Sequence, residues 1–169
     1  MTLSMYAASV PLFNQMLASL GSVLAKAEAH ASAKKIEAPA LLQARLFPDM
    51  LSLSRQVEVA CDFAKGISAR LAGLPVPVYE DKPQTFAECQ ALIAKTLAFV
   101  ATVQASQMDG AETREIVIQA GTPRERKFVG QQYLVHYGLP QFLFHVTTAY
   151  AILRHNGVEL GKKDYMGSY

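Results

Sequence analysis

Apolar residues recur at intervals of three and four positions in four stretches of the chain, residues 13–27, 50–71, 86–100 and 142–153. This spacing places the apolar side chains of each stretch along one side of an α-helix. The second stretch is the most regular, and its apolar positions are Met50, Leu53, Val57, Ala60, Ala64, Ile67 and Leu71. Because amphipathic helices bury their apolar sides by packing together, the pattern predicts a four-helix bundle.

Proline, glycine and capping residues mark the ends of these predicted helices. Pro48 stands just before the second apolar stretch, and Gly73 follows it. Thr85 and Glu88 have the spacing of a capping box, which predicts the start of the third helix. Pro140 suits the first turn of the fourth helix, where its missing N–H is not needed. The end signals and the apolar pattern therefore agree on four helices.

Two connections between the helices are long enough to carry structure of their own. The first includes residues 39–46, which we interpret as a short extra helix. In the second, residues 114–119 alternate as a strand does, and residues 127–129 can pair with them as a hairpin. We therefore predict a single domain over residues 1–169 of the all-α class. It is a four-helix bundle with a long connection, containing a small β-hairpin, before the last helix.

The composition indicates a nearly neutral globular protein. Hydrophobic residues make up 51% of the chain and charged residues 18%, and the formal net charge is +2. So small a charge argues against nucleic acid or a membrane surface as a partner. The longest apolar run, residues 140–153, is shorter than the ~20 residues that span a bilayer. With no basic signal segment and only Cys61 and Cys89 as thiols, we expect a cytoplasmic protein.

His145 is the most suggestive candidate for chemistry. It lies in an apolar row of the fourth helix with Phe142, Ala149 and Ile152, so the helix directs it into or beside the core. A buried imidazole needs a hydrogen-bond partner, which favours a core histidine paired with another polar group. The alternative is a ligand-binding or metal-binding role. A zinc site on a helix would want a second histidine four residues on, and that position is Ala149.

Four further residues are candidates for lining a pocket with His145. Asp49 and Gln56 are seven residues apart, so on a helix covering both they share one side. Asp49 could equally cap the second helix, where a carboxylate is favoured. Tyr133 lies in the long connection near His136, which could line a pocket mouth or pack locally. Thr148 comes from the fourth helix, close to His145.

Six segments together resemble a bacterial family of unknown function in the DinB/YfiT-like superfamily. They are residues 27–30, 45–50, 70–73, 139–142, 144–150 and 153–161. The superfamily is regarded as one of metalloenzymes. The resemblance implies a four-helix bundle in an up-down-down-up arrangement. It also implies a divalent metal held by one histidine from the second helix and two, spaced by four, from the fourth. This sequence keeps His145 at about the fourth-helix position, has Ala149 where its partner would stand, and has no histidine in the second helix.

Three functions follow as hypotheses. The first is a small-molecule binding protein with a pocket near His145, lined by Asp49, Gln56, Tyr133 and Thr148, and without a cofactor. The second, by superfamily analogy, is a divalent-metal-dependent thiol transferase or hydrolase using Zn or Ni, with His145 as the only metal-ligand candidate. The third is a structural homodimer without a ligand, and a homodimer is our expectation for the assembly in any case.

Overall fold

Four long helices form the frame of the protein. The computed structural model describes residues 3–169. The long helices are α1 (Val10–Lys34), α3 (Leu53–Ala72), α4 (Phe86–Thr102) and α6 (Leu139–His155). A short helix α2 (Ala38–Leu42) lies between α1 and α3, where an extra helix was predicted. The four-helix prediction is confirmed.

The four long helices enclose one core. Helix α3 packs against α4 and α6, and α1 packs against the same two, so α1 and α3 stand mainly across the bundle from each other. Phe13 of α1 meets Phe142 of α6 edge-to-face with ring centroids 4.9 Å apart, and both are fully buried. Ala60 and Ala64 of α3 are also fully buried, as their place in the apolar stripe predicts.

Helix α3 begins later than the apolar pattern predicts. Its first residue is Leu53 and its N-cap is Ser52, whose backbone is extended. The preceding turn is fixed by hydrogen bonds from the Leu53 amide to the Ala44 carbonyl and from the Arg45 guanidinium to the Met50 carbonyl. Met50 has helical spacing to Leu53 but precedes the cap. The apolar pattern therefore extends one position beyond the helix.

The connection before the last helix contains the predicted hairpin. Strands β1 (Glu115–Ile118) and β2 (Arg126–Val129) are antiparallel, with Ile116 opposite Phe128. The chain then continues without a break through a short helix α5 (Gly130–Gln132) and a π-helical segment (Tyr133–Gly138) into α6. Pro140 lies in the first turn of α6 as predicted, but the chain before it is already helical. Pro140 cannot donate to the preceding turn, and wider π turns accommodate such an interruption.

The C-terminal segment folds back over the bundle. Helix α7 (Lys162–Met166) lies on α1, where the Ser19 hydroxyl is 2.6 Å from the carbonyl oxygens of Asp164 and Tyr165. Lys26 forms an ion pair with the Asp164 carboxylate at 2.5 Å. Across residues 3–169, no helix combines the length and the apolar character that a membrane crossing requires.

Candidate functional site

His145 is held by Gln56 across the interface between α6 and α3. The imidazole Nδ1 lies 2.7 Å from the Gln56 Oε1 atom, and the two residues are 8% and 1% exposed. The Gln56 amide nitrogen donates to the Leu51 carbonyl at 3.2 Å, and a carbonyl can only accept. This second bond fixes the amide so that its oxygen faces the ring. Nδ1 therefore donates, and in the neutral ring Nε2 is the unprotonated nitrogen.

Aromatic rings enclose the imidazole on two sides. Phe63 of α3 stacks on it with centroids 5.7 Å apart and planes 16° apart, and Phe144 meets it edge-on at 5.3 Å. Burial lowers the pKa of His145 below its ordinary value of 6.5, because the cation loses hydration that these rings do not replace. The rings thus bury His145, and Gln56 supplies the hydrogen-bond partner that a buried histidine requires.

This burial predicts a pH dependence of stability. The pKa of His145 is lower in the folded state than in the unfolded state, so below the unfolded value the unfolded chain binds more protons. The contribution of the neutral His145 ring to the free energy of unfolding is complete above about pH 6.5. It is lost as the pH falls towards the folded-state pKa of His145. We expect the urea midpoint to decrease as the pH is lowered from about 7.5 to about 5.5. The decrease should be smaller in His145→Gln.

The exposed His136 provides the control for that measurement. A His136→Gln variant should keep the wild-type dependence of the urea midpoint on pH. An equal loss of the dependence in both variants would show that burial of His145 is not its source.

The side chains around His145 do not fit the divalent-metal site that the superfamily implies. Residues 3–169 contain no group of three His, Cys, Asp or Glu side chains placed to hold a metal ion. Both polar atoms of the Gln56 amide are engaged, and Ala149 occupies the position one turn after His145. A zinc or nickel site needs three or four strong protein ligands, and this one offers a single imidazole.

The cysteines do not supply a nucleophile either. Cys61 and Cys89 are fully buried, and burial raises the pKa of each thiol to about 12. A thiol that stays protonated at neutral pH is a poor nucleophile and a poor metal ligand. Neither Cys61 nor Cys89 is therefore placed to act as a nucleophile.

A row of aromatic rings continues from His145 towards the hairpin. The Phe63 ring meets Tyr137 at 5.9 Å, Tyr137 stacks on Tyr133 at 5.8 Å, and Phe128 of β2 contacts both tyrosines. Tyr133 and Tyr137 belong to the π-helical segment, which brings their rings together four residues apart. We call Phe63, Phe128, Tyr133 and Tyr137 the aromatic row.

A cavity of about 140 Å³ lies along this row, between α3, the hairpin and the π-helical segment. Its lining residues are Asp62, Phe63, Arg70, Ile118, Gln119, Tyr133 and Tyr137. We call it the inner cavity. An outer groove of about 530 Å³ shares Ile118, Gln119 and Tyr137 with it and extends over the hairpin turn. The two spaces therefore adjoin each other.

One polar contact stands out in the inner cavity. The Arg70 guanidinium donates to the Tyr133 hydroxyl at 3.2 Å. Burial raises the pKa of Tyr133, and the nearby Arg70 charge only partly opposes this effect. The phenol therefore keeps its proton at neutral pH, and its O–H remains able to donate.

The structure brings together some of the predicted pocket residues and separates others. Tyr133 lines the inner cavity, while Gln56 and His145 form a pair behind the Phe63 ring. The Thr148 hydroxyl donates to the Phe144 carbonyl at 2.7 Å, within its own helix. Asp49 is exposed in the turn before α3. The prediction that Asp49 shares a helix side with Gln56, or caps the helix, is wrong because Ser52 begins it.

Sequence reasoning missed the residues that form the cavity walls. Phe63 and Arg70 lie in α3 outside its most regular apolar stripe, and only the fold brings them opposite Tyr133. Gln119 has a left-handed backbone, with φ of +51°, which is uncommon for a residue other than glycine. One available signal was Gly66, a glycine inside a helical pattern, which often has a packing or functional reason.

Comparisons with known proteins agree on the family. The family model described as Domain of unknown function (DUF1993) matches residues 5–166. A crystal structure of a DinB family member protein from Shewanella denitrificans is 39% identical to the chain with a TM-score of 0.90, covering 97% of this chain and 92% of that one. No curated protein matches. The resemblance seen in the sequence is confirmed: the chain belongs to the DUF1993 family and has a DinB-like fold.

Proposed function

We propose that this protein binds a small molecule through a planar apolar group seated in the inner cavity. The observation that carries the proposal is the concentration of aromatic rings on that cavity, with Phe63, Tyr133 and Tyr137 all on its walls. Small-molecule sites are typically concave and mostly apolar, with a few polar groups that fix orientation. Here the polar groups are Arg70, Gln119 and the Tyr133 hydroxyl.

The size of the cavity limits what can enter it. About 140 Å³ is close to the volume of an engineered protein cavity that accommodates benzene. The inner cavity is half open and has room for a single ring, so any larger part of the ligand extends into the outer groove. Together the two spaces have the size of an ordinary ligand site.

His145 supports this site without reaching into it. Its ring stacks on Phe63, and its bond to Gln56 fixes the plane of that stack. In this proposal His145 is a positioning residue that holds one wall of the cavity. A metal-dependent activity is not proposed, because the donor set around His145 does not fit a metal.

A titration with benzamide followed by two-dimensional amide NMR tests the proposal. We expect shifts confined to the inner-cavity lining, around Phe63, Ile118 and Tyr137. The variant Tyr137→Ala should weaken benzamide binding by about five- to tenfold, because it removes a stacking contact that contributes about 1–1.4 kcal/mol.

Tyr150→Ala is the matched control for the titration. Tyr150 is also half-buried and pairs with another aromatic ring, that of Tyr165, outside the cavity lining. Its loss should leave benzamide affinity unchanged. Shifts that are absent, or scattered over the surface, would contradict the proposed function, as would an equal loss of affinity in both variants.

A further inference from the structure

We infer that the ligand of the inner cavity is a small aromatic carboxylate whose carboxylate group is bound by Arg70 and the Tyr133 hydroxyl. The inference rests on the proposed function, since it names the chemical class of the molecule that the cavity binds. Three observations support it. In the part of the chain that the structure describes, Arg70 has no ion-pair partner, a glycine lies beside its guanidinium, and the outer groove is lined by unpaired arginines.

Arg70 carries a charge that the fold does not neutralise. Its guanidinium is half-buried and donates one hydrogen bond, to the Tyr133 hydroxyl, although the group has five N–H donors. Within residues 3–169 no carboxylate lies within ion-pair distance of it. The other charged residue of the lining, Asp62, is already paired with Lys65 at 2.6 Å. The inner cavity therefore contains one cation that has no carboxylate partner among residues 3–169.

Gly66 of helix α3 leaves room for the Arg70 guanidinium. A Cβ atom at Gly66 would lie 2.7 Å from a terminal nitrogen of Arg70, so only glycine leaves the guanidinium where it is. Gly66 is buried in the interior of α3, where glycine is less stable than alanine. The chain thus gives up helix stability at the position that seats Arg70 beside the aromatic row.

The adjoining groove is also positive. Arg124 and Arg126 line it, and neither forms an ion pair with any residue that the structure describes. Its one carboxylate, Glu125, accepts a hydrogen bond from the Gly121 amide at 2.8 Å and lies 4.0 Å from Lys127. Unpaired cations around a cleft attract anions towards it. The route to Arg70 therefore favours a negatively charged ligand.

These features select a carboxylate on a ring. The planar guanidinium matches a carboxylate with two parallel hydrogen bonds. The Tyr133 hydroxyl accepts from Arg70 and donates to no acceptor within residues 3–169. The aromatic walls beside this pair accept a ring of benzene size. Benzoate combines both groups at the smallest size, which makes it the probe of choice.

The first experiment compares three probes on the wild-type protein by calorimetry and amide NMR. Benzoate should bind about tenfold or more tightly than its neutral isostere benzamide, because a hydrogen-bonded charge pair exceeds a neutral bond. Acetate, which has the charge without the ring, should bind more weakly than benzoate. Added salt should weaken benzoate binding and leave benzamide unchanged.

Two variants then locate the charge. Arg70→Gln should abolish the preference for benzoate over benzamide. Gly66→Ala should reduce the preference by displacing the guanidinium, while the stability of the helix is kept or raised. The control is Arg154→Gln, an exposed arginine at the other end of α6, which should leave both affinities unchanged.

The outcomes separate the inference from the proposed function. If benzamide binds as tightly as benzoate, the cavity stands and the carboxylate inference is wrong. If neither benzoate nor benzamide binds, the proposed function itself is wrong. A benzoate preference that survives both Arg70→Gln and Gly66→Ala would also overturn the assignment to Arg70. If Arg70→Gln does not fold, the wild-type comparison and Gly66→Ala still decide the question.

Discussion

Replacing Gly130 with alanine is expected to lower the free energy of unfolding by about 3 kcal/mol or more. A Cβ atom at this position would lie 1.8 Å from the Ala111 carbonyl oxygen, which is a backbone atom and cannot turn away. The Gly130 amide also donates to the Arg114 carbonyl at 2.8 Å, so the two segments are held in contact. Relief of the clash requires the turn around Ala111 and the start of α5 to separate.

Gly66→Ala is the matched control for this prediction. Gly66 is also buried, but the nearest obstacle to its added Cβ is the flexible end of the Arg70 side chain. Urea denaturation should therefore show a large loss of stability for Gly130→Ala and an unchanged or raised midpoint for Gly66→Ala. Equal midpoints for the two variants would show that residue 130 does not approach residue 111 as described.

Replacing His145 with alanine is expected to destabilise the fold by about 1–4 kcal/mol. The variant leaves a cavity beside Phe63 and removes the donor that the Gln56 oxygen accepts from. Gln56 is 1% exposed, so water does not readily replace the lost bond. The effect combines lost packing with an unpaired buried acceptor.

Urea denaturation with and without added zinc distinguishes this structural role from a metal site. We expect the loss of stability in His145→Ala to be the same in both conditions, and the wild type to be unaffected by zinc. The control is His155→Ala, at the exposed end of α6, which should be close to neutral. Zinc that stabilises the wild type but not His145→Ala would restore the metalloenzyme hypothesis.

The sequence predicted the bundle well because its helices follow periodic patterns and local end signals. The capping box of Thr85 and Glu88 is formed as expected, with the Glu88 amide 3.1 Å from the Thr85 hydroxyl oxygen. The hairpin was also within reach, since residues 114–119 alternate and a turn follows. The start of α3 was not, because Met50 has the spacing of a helix position although the chain has not yet entered the helix.

The candidate site was predictable only in part, because its residues are adjacent in space and distant in sequence. The apolar neighbours of His145 along α6 indicated burial, and the need for a partner followed from that. No local feature favours Gln56 over Asp49 as this partner, because the apolar pattern assigns both residues to one helix. The aromatic row joins α3, β2 and a π-helical segment, and no periodic pattern in the sequence predicts a π helix.

The most direct test of the central claim is the crystal structure of the protein soaked with 4-bromobenzamide, using the anomalous signal of bromine to locate the ring. Our account predicts one dominant bromine peak in the inner cavity or at its opening into the outer groove, with the ring between Phe63 and Tyr137. No peak there, or a dominant peak elsewhere on the bundle, would contradict it.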